Sequence, residues 1–196
     1  NSEQNTPKKG LSPKTYYESG DENLFKGENQ LAIQDYSKAI KLNPEYADAF
    51  INRGFAQNNI GSYQLAIQDY DTAIKLNSNH PLAYYNRGLT YYNLVKYQLA
   101  IQDYNTAIKL NPDYVDAYNN RGLAHNNSGN YQLAINDYNS AVKLNPNHPL
   151  ANYNRGLSYY NLGKYQLAIK DYTSAIKLNP SYVNAHNNRG LAHNNS

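Results

Sequence analysis

The segment YQLAIQDYNTAIKLN, from Tyr97 to Asn111, decides the fold, because close copies of it return at a constant interval along the chain. The other copies begin at Asn29, Tyr63, Tyr131 and Tyr165, so each start follows the last by the same number of residues. Self-similarity at a period of about 20 to 50 residues is typical of repeat proteins, in which each unit packs against its neighbours. The sequence therefore predicts a stack of similar units.

Each unit contains two helical segments. In the copy that begins at Tyr63, the residues Ala66, Ile67, Tyr70 and Ala73 recur at helical spacing and form one apolar face. In most copies the final Asn is followed by Pro. Proline ends a helix because it lacks a backbone donor and restricts the residue before it. The other segment carries Asn-Arg-Gly, with its glycine at Gly54, Gly88, Gly122, Gly156 and Gly190. The two segments are separated by Gly27, Gly61, Val95, Gly129 and Gly163, and we expect the turn at Val95 to be tighter.

These residues resemble the tetratricopeptide repeat family. The resemblance rests on a bulky residue four positions before the Gly, on the Gly itself, and on the Tyr, Ala, Tyr, Ala and Pro of the second segment. It implies an all-α fold, a right-handed superhelical solenoid of antiparallel helix pairs in which helix A, the first of each pair, lines a concave groove. The chain departs from the family by having Arg before the Gly, where Leu is usual, and Asp before the second Tyr.

The repeat pattern divides the chain into a flexible lead-in, residues 1–11, and a tetratricopeptide array, residues 12–196. The array is predicted to contain five helix pairs and a lone helix A of a sixth, from about Tyr182 to Asn195. Because this last helix repeats the segment after Tyr118 rather than a polar cap, we expect the chain to be cut from a longer array. A weaker period of two units indicates that the array grew by duplication of a two-repeat block.

Composition argues against several classes of function. The net charge of +3 is too small to predict nucleic acid as a partner, and no apolar run is long enough to span a membrane. Cysteine is absent, and His186 and His193, seven residues apart on one predicted helix, have no carboxylate at metal-ligand spacing. Serine has no partnered His and Asp, and no phosphate-binding loop is present. We therefore expect no catalysis, no cofactor and no metal, whereas the compartment is not determined.

One face of helix A carries the candidate binding residues. Two positions before the Gly, each unit from the second on has an asparagine: Asn52, Asn86, Asn120, Asn154 and Asn188. Three before and four after the Gly, the residues are Tyr85, Tyr92, Tyr153 and Tyr160 in the third and fifth units, and Asn119 and Asn126 in the fourth. A further asparagine row lies five after the Gly, and we interpret that row as solvated surface. The face is therefore uncharged, rich in amides and banded with phenols.

A carboxamide offers both a donor and an acceptor, as a peptide backbone requires. We therefore expect these residues to bind an extended peptide or partner segment, with tyrosine rings stacking on its side chains. The asparagine row resembles the asparagine ladder known from tetratricopeptide superhelices, and the face lacks the Lys and Arg of a carboxylate clamp. The sequence is also compatible with two alternatives. Surface amides are ordinary and need no ligand, and the chain could instead be a self-assembling array that associates through its open C-terminal end.

The Arg and Asp rows predict ion pairs between units. Pairing each Asp with the Arg of the following unit uses all ten residues: Asp35 with Arg53, Asp69 with Arg87, Asp103 with Arg121, Asp137 with Arg155, and Asp171 with Arg189. Pairing within a unit would instead place Asp35 opposite Ser19 and leave Arg189 without an Asp. We expect the pairs between units, partly buried and important for register.

Overall fold

The computed structural model describes residues 11–196, and in these residues it contains eleven α-helices and no strand. Residues 1–10, most of the predicted lead-in, lie outside the described residues. The helices are α1 Pro13–Phe25, α2 Asn29–Leu42, α3 Ala47–Asn59, α4 Tyr63–Leu76, α5 Pro81–Asn93, α6 Tyr97–Leu110, α7 Val115–Asn127, α8 Tyr131–Leu144, α9 Pro149–Asn161, α10 Tyr165–Leu178 and α11 Val183–Asn194.

The chain divides into two compact units, one ending at Asn79 and the other beginning at His80. In the first unit, α1 packs on α2, α2 on α3 and α3 on α4. In the second, each helix from α5 to α11 packs on the next, and the odd-numbered helices also touch one another in order. The predicted all-α class of repeated helix pairs is confirmed: odd-numbered helices are the A helices and even-numbered helices are the B helices.

An asparagine turn ends every B helix. The residue after the helix has an extended backbone, and its side-chain oxygen accepts a hydrogen bond from the backbone N–H two residues later. At Asn43 and Asn77 the N–O distance is 3.1 Å in both turns, although Pro follows the first asparagine and Ser the second. Asparagine is therefore the residue shared by the ends of all B helices, and the proline that follows most of these asparagines reinforces the helix end.

The turns between A and B helices require a left-handed residue. Gly27, Gly61, Gly129 and Gly163 have φ between 71° and 78°, and Val95 adopts the same conformation with φ 60°. A β-branched residue is strained there because its Cβ crowds the following carbonyl group.

Tyrosine fills the core of each helix pair. The tyrosine that follows the Asp in every B helix is fully buried: Tyr36, Tyr70, Tyr104, Tyr138 and Tyr172. Its ring lies directly on the glycine of the A helix in the same pair. A Cβ built on Gly122 would lie 2.6 Å from Cε1 of Tyr138, and one built on Gly54 would lie 2.8 Å from Cε1 of Tyr70. Only glycine allows this approach, and buried alanines surround it.

Candidate functional site

Four arginines of the A helices form ion pairs within their own repeats. Arg53 binds Asp69 with two parallel hydrogen bonds, from Nε and Nη2, both 2.7 Å long. The same arrangement recurs in the next three repeats, in the pairs Arg87–Asp103, Arg121–Asp137 and Arg155–Asp171. The predicted pairing of each Asp with the Arg of the following unit is therefore wrong. Because each buried tyrosine packs on the glycine of its own pair, the Asp before that tyrosine faces the Arg before that glycine.

The first residue of the Asp row, Asp35, and the last residue of the Arg row, Arg189, bind other side chains, as pairing within units requires. Asp35 accepts hydrogen bonds from Ser19 and Asn23 and pairs with Lys38 at 2.8 Å. Burial alone would raise the pKa of Asp35, but the bonds from Lys38, Ser19 and Asn23 outweigh it and lower the pKa below its usual value. At the other end, Arg189 reaches the hydroxyl of Thr173 at 3.5 Å.

The remaining arginine nitrogen connects successive repeats. Arg53 Nη1 donates to Ser37 Oγ at 3.0 Å, and Arg121 Nη1 donates to Asn105 Oδ1 at 2.7 Å. Each acceptor lies on the B helix of the preceding repeat. These arginines therefore hold repeats together and are not free to anchor an anion.

The asparagines of the predicted ladder are used in contacts between neighbouring A helices. Asn120 Nδ2 donates to Tyr85 Oη at 2.8 Å, and Asn188 Nδ2 donates to Tyr153 Oη at 2.9 Å. Asn154 is buried and donates to Asn119 Oδ1 at 3.2 Å. The rows two and three positions before the glycine thus pair across each of these junctions, and the shared spacing is 35 residues.

The other predicted residues also lie on A helices, α3, α5 and α7. Asn86 is buried on α5, and Asn126 on α7 accepts a hydrogen bond from Ser158 Oγ at 2.9 Å. In the first unit, Asn52 donates to Tyr17 Oη and to Asp21 Oδ1, both at 2.9 Å. Asn52 therefore belongs to a different compact unit from the other predicted residues, and it lies beside a carboxylate.

Two asparagines outside the predicted set belong to the same face. Asn127 Nδ2 donates to Tyr92 Oη at 2.7 Å, and Asn195 Nδ2 donates to Tyr160 Oη at 2.9 Å. Both come from the row five after the glycine, which the sequence alone indicates to be solvated surface. The sequence contains a signal for this pairing, because each of these asparagines follows a tyrosine by 35 residues, the same spacing as in the ladder pairs.

Three phenols of this face, those of Tyr85, Tyr92 and Tyr153, have a raised pKa. Burial, with a smaller contribution from the charge of Asp116, raises the pKa of Tyr85 to about 12. Burial likewise raises the pKa of Tyr92 and of Tyr153 above the usual value. Ring contacts hold the phenols in place: Tyr85 packs on Tyr114 with 4.8 Å between ring centroids. Tyr85, Tyr92 and Tyr153 are therefore neutral groups, and a neighbouring ring fixes the position of each.

Two small cavities open between A helices of the second unit. We call the first, lined by Leu89, Tyr92, Asn93, Asn120 and Leu123, the Tyr92 pocket; its volume is about 100 Å³. We call the second, lined by Leu157, Tyr160, Asn161, Asn188 and Leu191, the Tyr160 pocket; its volume is about 90 Å³. Every lining residue of the second occupies the position two repeats after its counterpart in the first.

The described part of the chain contains no group of three or more His, Cys, Asp or Glu side chains placed to hold a metal ion. Among its helices, none has the length and apolar character needed to cross a membrane.

Comparison with known proteins agrees with the helix-pair geometry. A family profile described as TPR repeat matches residues 20–61, 58–95 and 156–195. Profiles described as tetratricopeptide repeat match residues 81–114, 115–148 and 138–170. The chain belongs to the tetratricopeptide repeat family.

Solved structures of other tetratricopeptide proteins share this fold. The crystal structure of MamA is 28% identical and superposes with a TM-score of 0.75, covering 85% of this chain and 91% of that one. MamA from Desulfovibrio magneticus RS-1 is 23% identical with a TM-score of 0.79, covering 89% and 98%. YrrB, described as a TPR protein with an unusual peptide-binding site, is 22% identical with a TM-score of 0.74, covering 90% and 91%.

A sequence relative covers a shorter stretch of the array. The uncharacterized protein MJ0572 of Methanocaldococcus jannaschii is 42% identical over 48 residues, or 24% of this chain. The chain spans 56% of the length of that relative.

Proposed function

We propose that this tetratricopeptide protein is an interaction scaffold that binds an extended peptide segment of a partner along the face of α5, α7, α9 and α11. Four phenol–amide pairs carry the proposal: Tyr85–Asn120, Tyr92–Asn127, Tyr153–Asn188 and Tyr160–Asn195. In each pair the amide N–H is donated to the phenol oxygen. The phenol O–H is thereby directed away from the amide. The amide oxygen keeps a lone pair, also in Asn120, whose Oδ1 already accepts one hydrogen bond from Asn119 Nδ2 at 3.2 Å.

The two remaining groups match the two polar groups of a peptide unit. A phenol O–H donates to a backbone carbonyl, and an amide oxygen accepts from a backbone N–H. Because the tyrosines are fixed by neighbouring rings, little side-chain entropy is lost when they bind. YrrB is described as binding a peptide, and we extend that activity to this chain as part of the proposal.

The test is selection of random dodecapeptides on phage against the protein, followed by affinity measurements on the selected peptides. The double variant Tyr85→Phe/Tyr153→Phe removes two donors and keeps both rings, so we expect affinity to fall about tenfold. Tyr118→Phe is the matched control, since Phe50 occupies the equivalent position of another repeat. Peptides that bind the double variant as tightly as the unaltered protein would contradict the proposal.

Self-association is the alternative, and one feature of α11 favours it. A Cβ at Gly190 would meet no atom within 4 Å, whereas the glycines of the other A helices lie under tyrosine rings. In this alternative, a B helix of a second copy packs its tyrosine on Gly190. Sedimentation across a wide concentration range separates the two functions, because a strict monomer at high concentration removes this alternative.

A further inference from the structure

The Tyr92 and Tyr160 pockets occur at alternate junctions between A helices. The Tyr92 pocket lies between α5 and α7, and the Tyr160 pocket lies between α9 and α11. At the junction between them, Asn126 stands where the pockets have tyrosine, and it accepts a hydrogen bond from Ser158. On this face, the two-repeat period of the sequence therefore places an apolar pocket at two junctions and a hydrogen bond between polar side chains at the junction between them.

The chemistry of the lining defines the part of the partner that enters the pockets. Each lining consists of two leucines, a tyrosine and two asparagines, without a charged residue. The arginines of α5, α7 and α9 are each paired to an aspartate and offer no net charge to a ligand. A charged side chain would lose its hydration in such a site without gaining a partner. An uncharged segment with apolar side chains is therefore complementary to both pockets.

The size of the pockets narrows the choice of side chain. A cavity of about 100 Å³ has room for more than a single water molecule. This room, with two leucines in each lining, suits a branched aliphatic side chain such as Leu, Ile or Val.

We propose that the partner peptide carries two aliphatic side chains at positions i and i+6, one for each pocket. Packed helices lie about 8 to 10 Å apart, so two repeat steps separate the pockets by about 16 to 20 Å. An extended chain advances about 3.1 to 3.4 Å per residue, so about five or six residues span this distance. Of these, a step of six returns a side chain to the same side in both a β-strand, with period two, and a polyproline II helix, with period three. This inference rests on the proposed peptide binding.

The experiment uses synthetic peptides as probes. Capped dodecapeptides of Ser, Thr, Asn and Gln carry two leucines at i and i+6, two at i and i+5, two at i and i+3, or one alone. Binding to the protein is followed by NMR titration. We expect the i, i+6 peptide to bind about tenfold more tightly than the peptide with one leucine, since the second leucine is buried as well. The i, i+5 and i, i+3 peptides should gain much less.

A variant identifies the second pocket as the source of this gain. Tyr160→Asn replaces the pocket tyrosine by the residue found at Asn126 and Asn194, so the repeat retains a side chain that the array already accommodates. In this variant the i, i+6 peptide should bind no better than the single-leucine peptide, while Tyr118→Phe should leave the gain from the second leucine intact.

The outcomes separate the two proposals. If every spacing binds equally well, or if Tyr160→Asn leaves the advantage of i, i+6 unchanged, the two-pocket inference is wrong and peptide binding stands. If none of these probes binds and phage selection also yields no peptide, both proposals are wrong.

Discussion

At the scale of single residues, the tyrosine–glycine contact determines how closely the two helices of a pair approach. Tyr138 is fully buried, and its ring lies where a side chain on Gly122 would stand. Gly190 has the same place in its A helix but is exposed, with no atom near enough to meet a Cβ. Gly122 is therefore required by the packing of a tyrosine, whereas no tyrosine packs on the equivalent Gly190.

We expect Gly122→Ala to lower the free energy of unfolding by about 1 to 2 kcal/mol, because overpacking costs about 1 to 3 kcal/mol and exceeds the helix propensity gained. Gly190→Ala should raise it by up to about 1 kcal/mol, since only the propensity changes. Urea unfolding followed by circular dichroism measures both. Equal effects at the two positions would show that tyrosine packing is not the reason for the glycine.

The ion pairs show where sequence reasoning at this scale stops. The sequence correctly indicates that the Arg and Asp rows belong to the packing, because both recur in register. It does not distinguish Asp69 from Asp35 as the partner of Arg53, since both spacings recur in every repeat. The choice depends on the axial offset between two packed helices, and a tyrosine ring on a glycine sets that offset.

At the scale of elements, the A-to-B turns share a left-handed residue, and one of the five turns lacks glycine there. Four of them place glycine in the left-handed region, and one places Val95 there, at φ 60°. Val95 is largely exposed, so its side chain gains little from burial. The turn after α5 is therefore strained by its own sequence.

Val95→Gly should raise the free energy of unfolding by about 1 kcal/mol, because a residue with a Cβ costs roughly 1 to 2 kcal/mol in this conformation. The reciprocal change, Gly129→Val, should lower it by a similar amount or more. Thermal unfolding of both variants provides the measurement. A loss of stability in Val95→Gly would mean that the valine side chain makes a contact worth more than the strain.

At the scale of the whole molecule, the structure depends on tyrosines that must stay neutral. Burial, the largest cause, raises the pKa of Tyr17, Tyr85 and Tyr182 to about 12 each, and it raises the pKa of Tyr104 and Tyr138 further. The unfolded chain ionises its tyrosines near a pH of about 10. The stability that these groups contribute is therefore fully present below that pH and is lost as the pH rises from there towards the folded pKa values.

We expect the free energy of unfolding to be nearly constant from about pH 7 to 9 and to fall steeply above about pH 10. Each buried tyrosine contributes a slope of about 1.4 kcal/mol per pH unit in that range. Tyrosinate absorbance and helical circular dichroism should therefore change together during alkaline titration. Tyr138→Phe removes one of the groups that ionise. In this variant the free energy of unfolding, compared with the variant's own value at neutral pH, should therefore fall less above about pH 10. Full ionisation at the pH of free tyrosine with helicity retained would contradict this prediction.

The sequence by itself determined the unit length, the two helices of each unit and the use of tyrosine in the core. All of these follow from two periods present along the chain, the repeat itself and the helical period of about 3.6 residues. The tertiary structure decided which side chains pair between helices. Arg121 pairs with Asp137 rather than Asp103, and Asn127 joins Tyr92 on the candidate face. Such pairs depend on how neighbouring helices are offset along their axes, and a repeat of fixed length is compatible with several offsets.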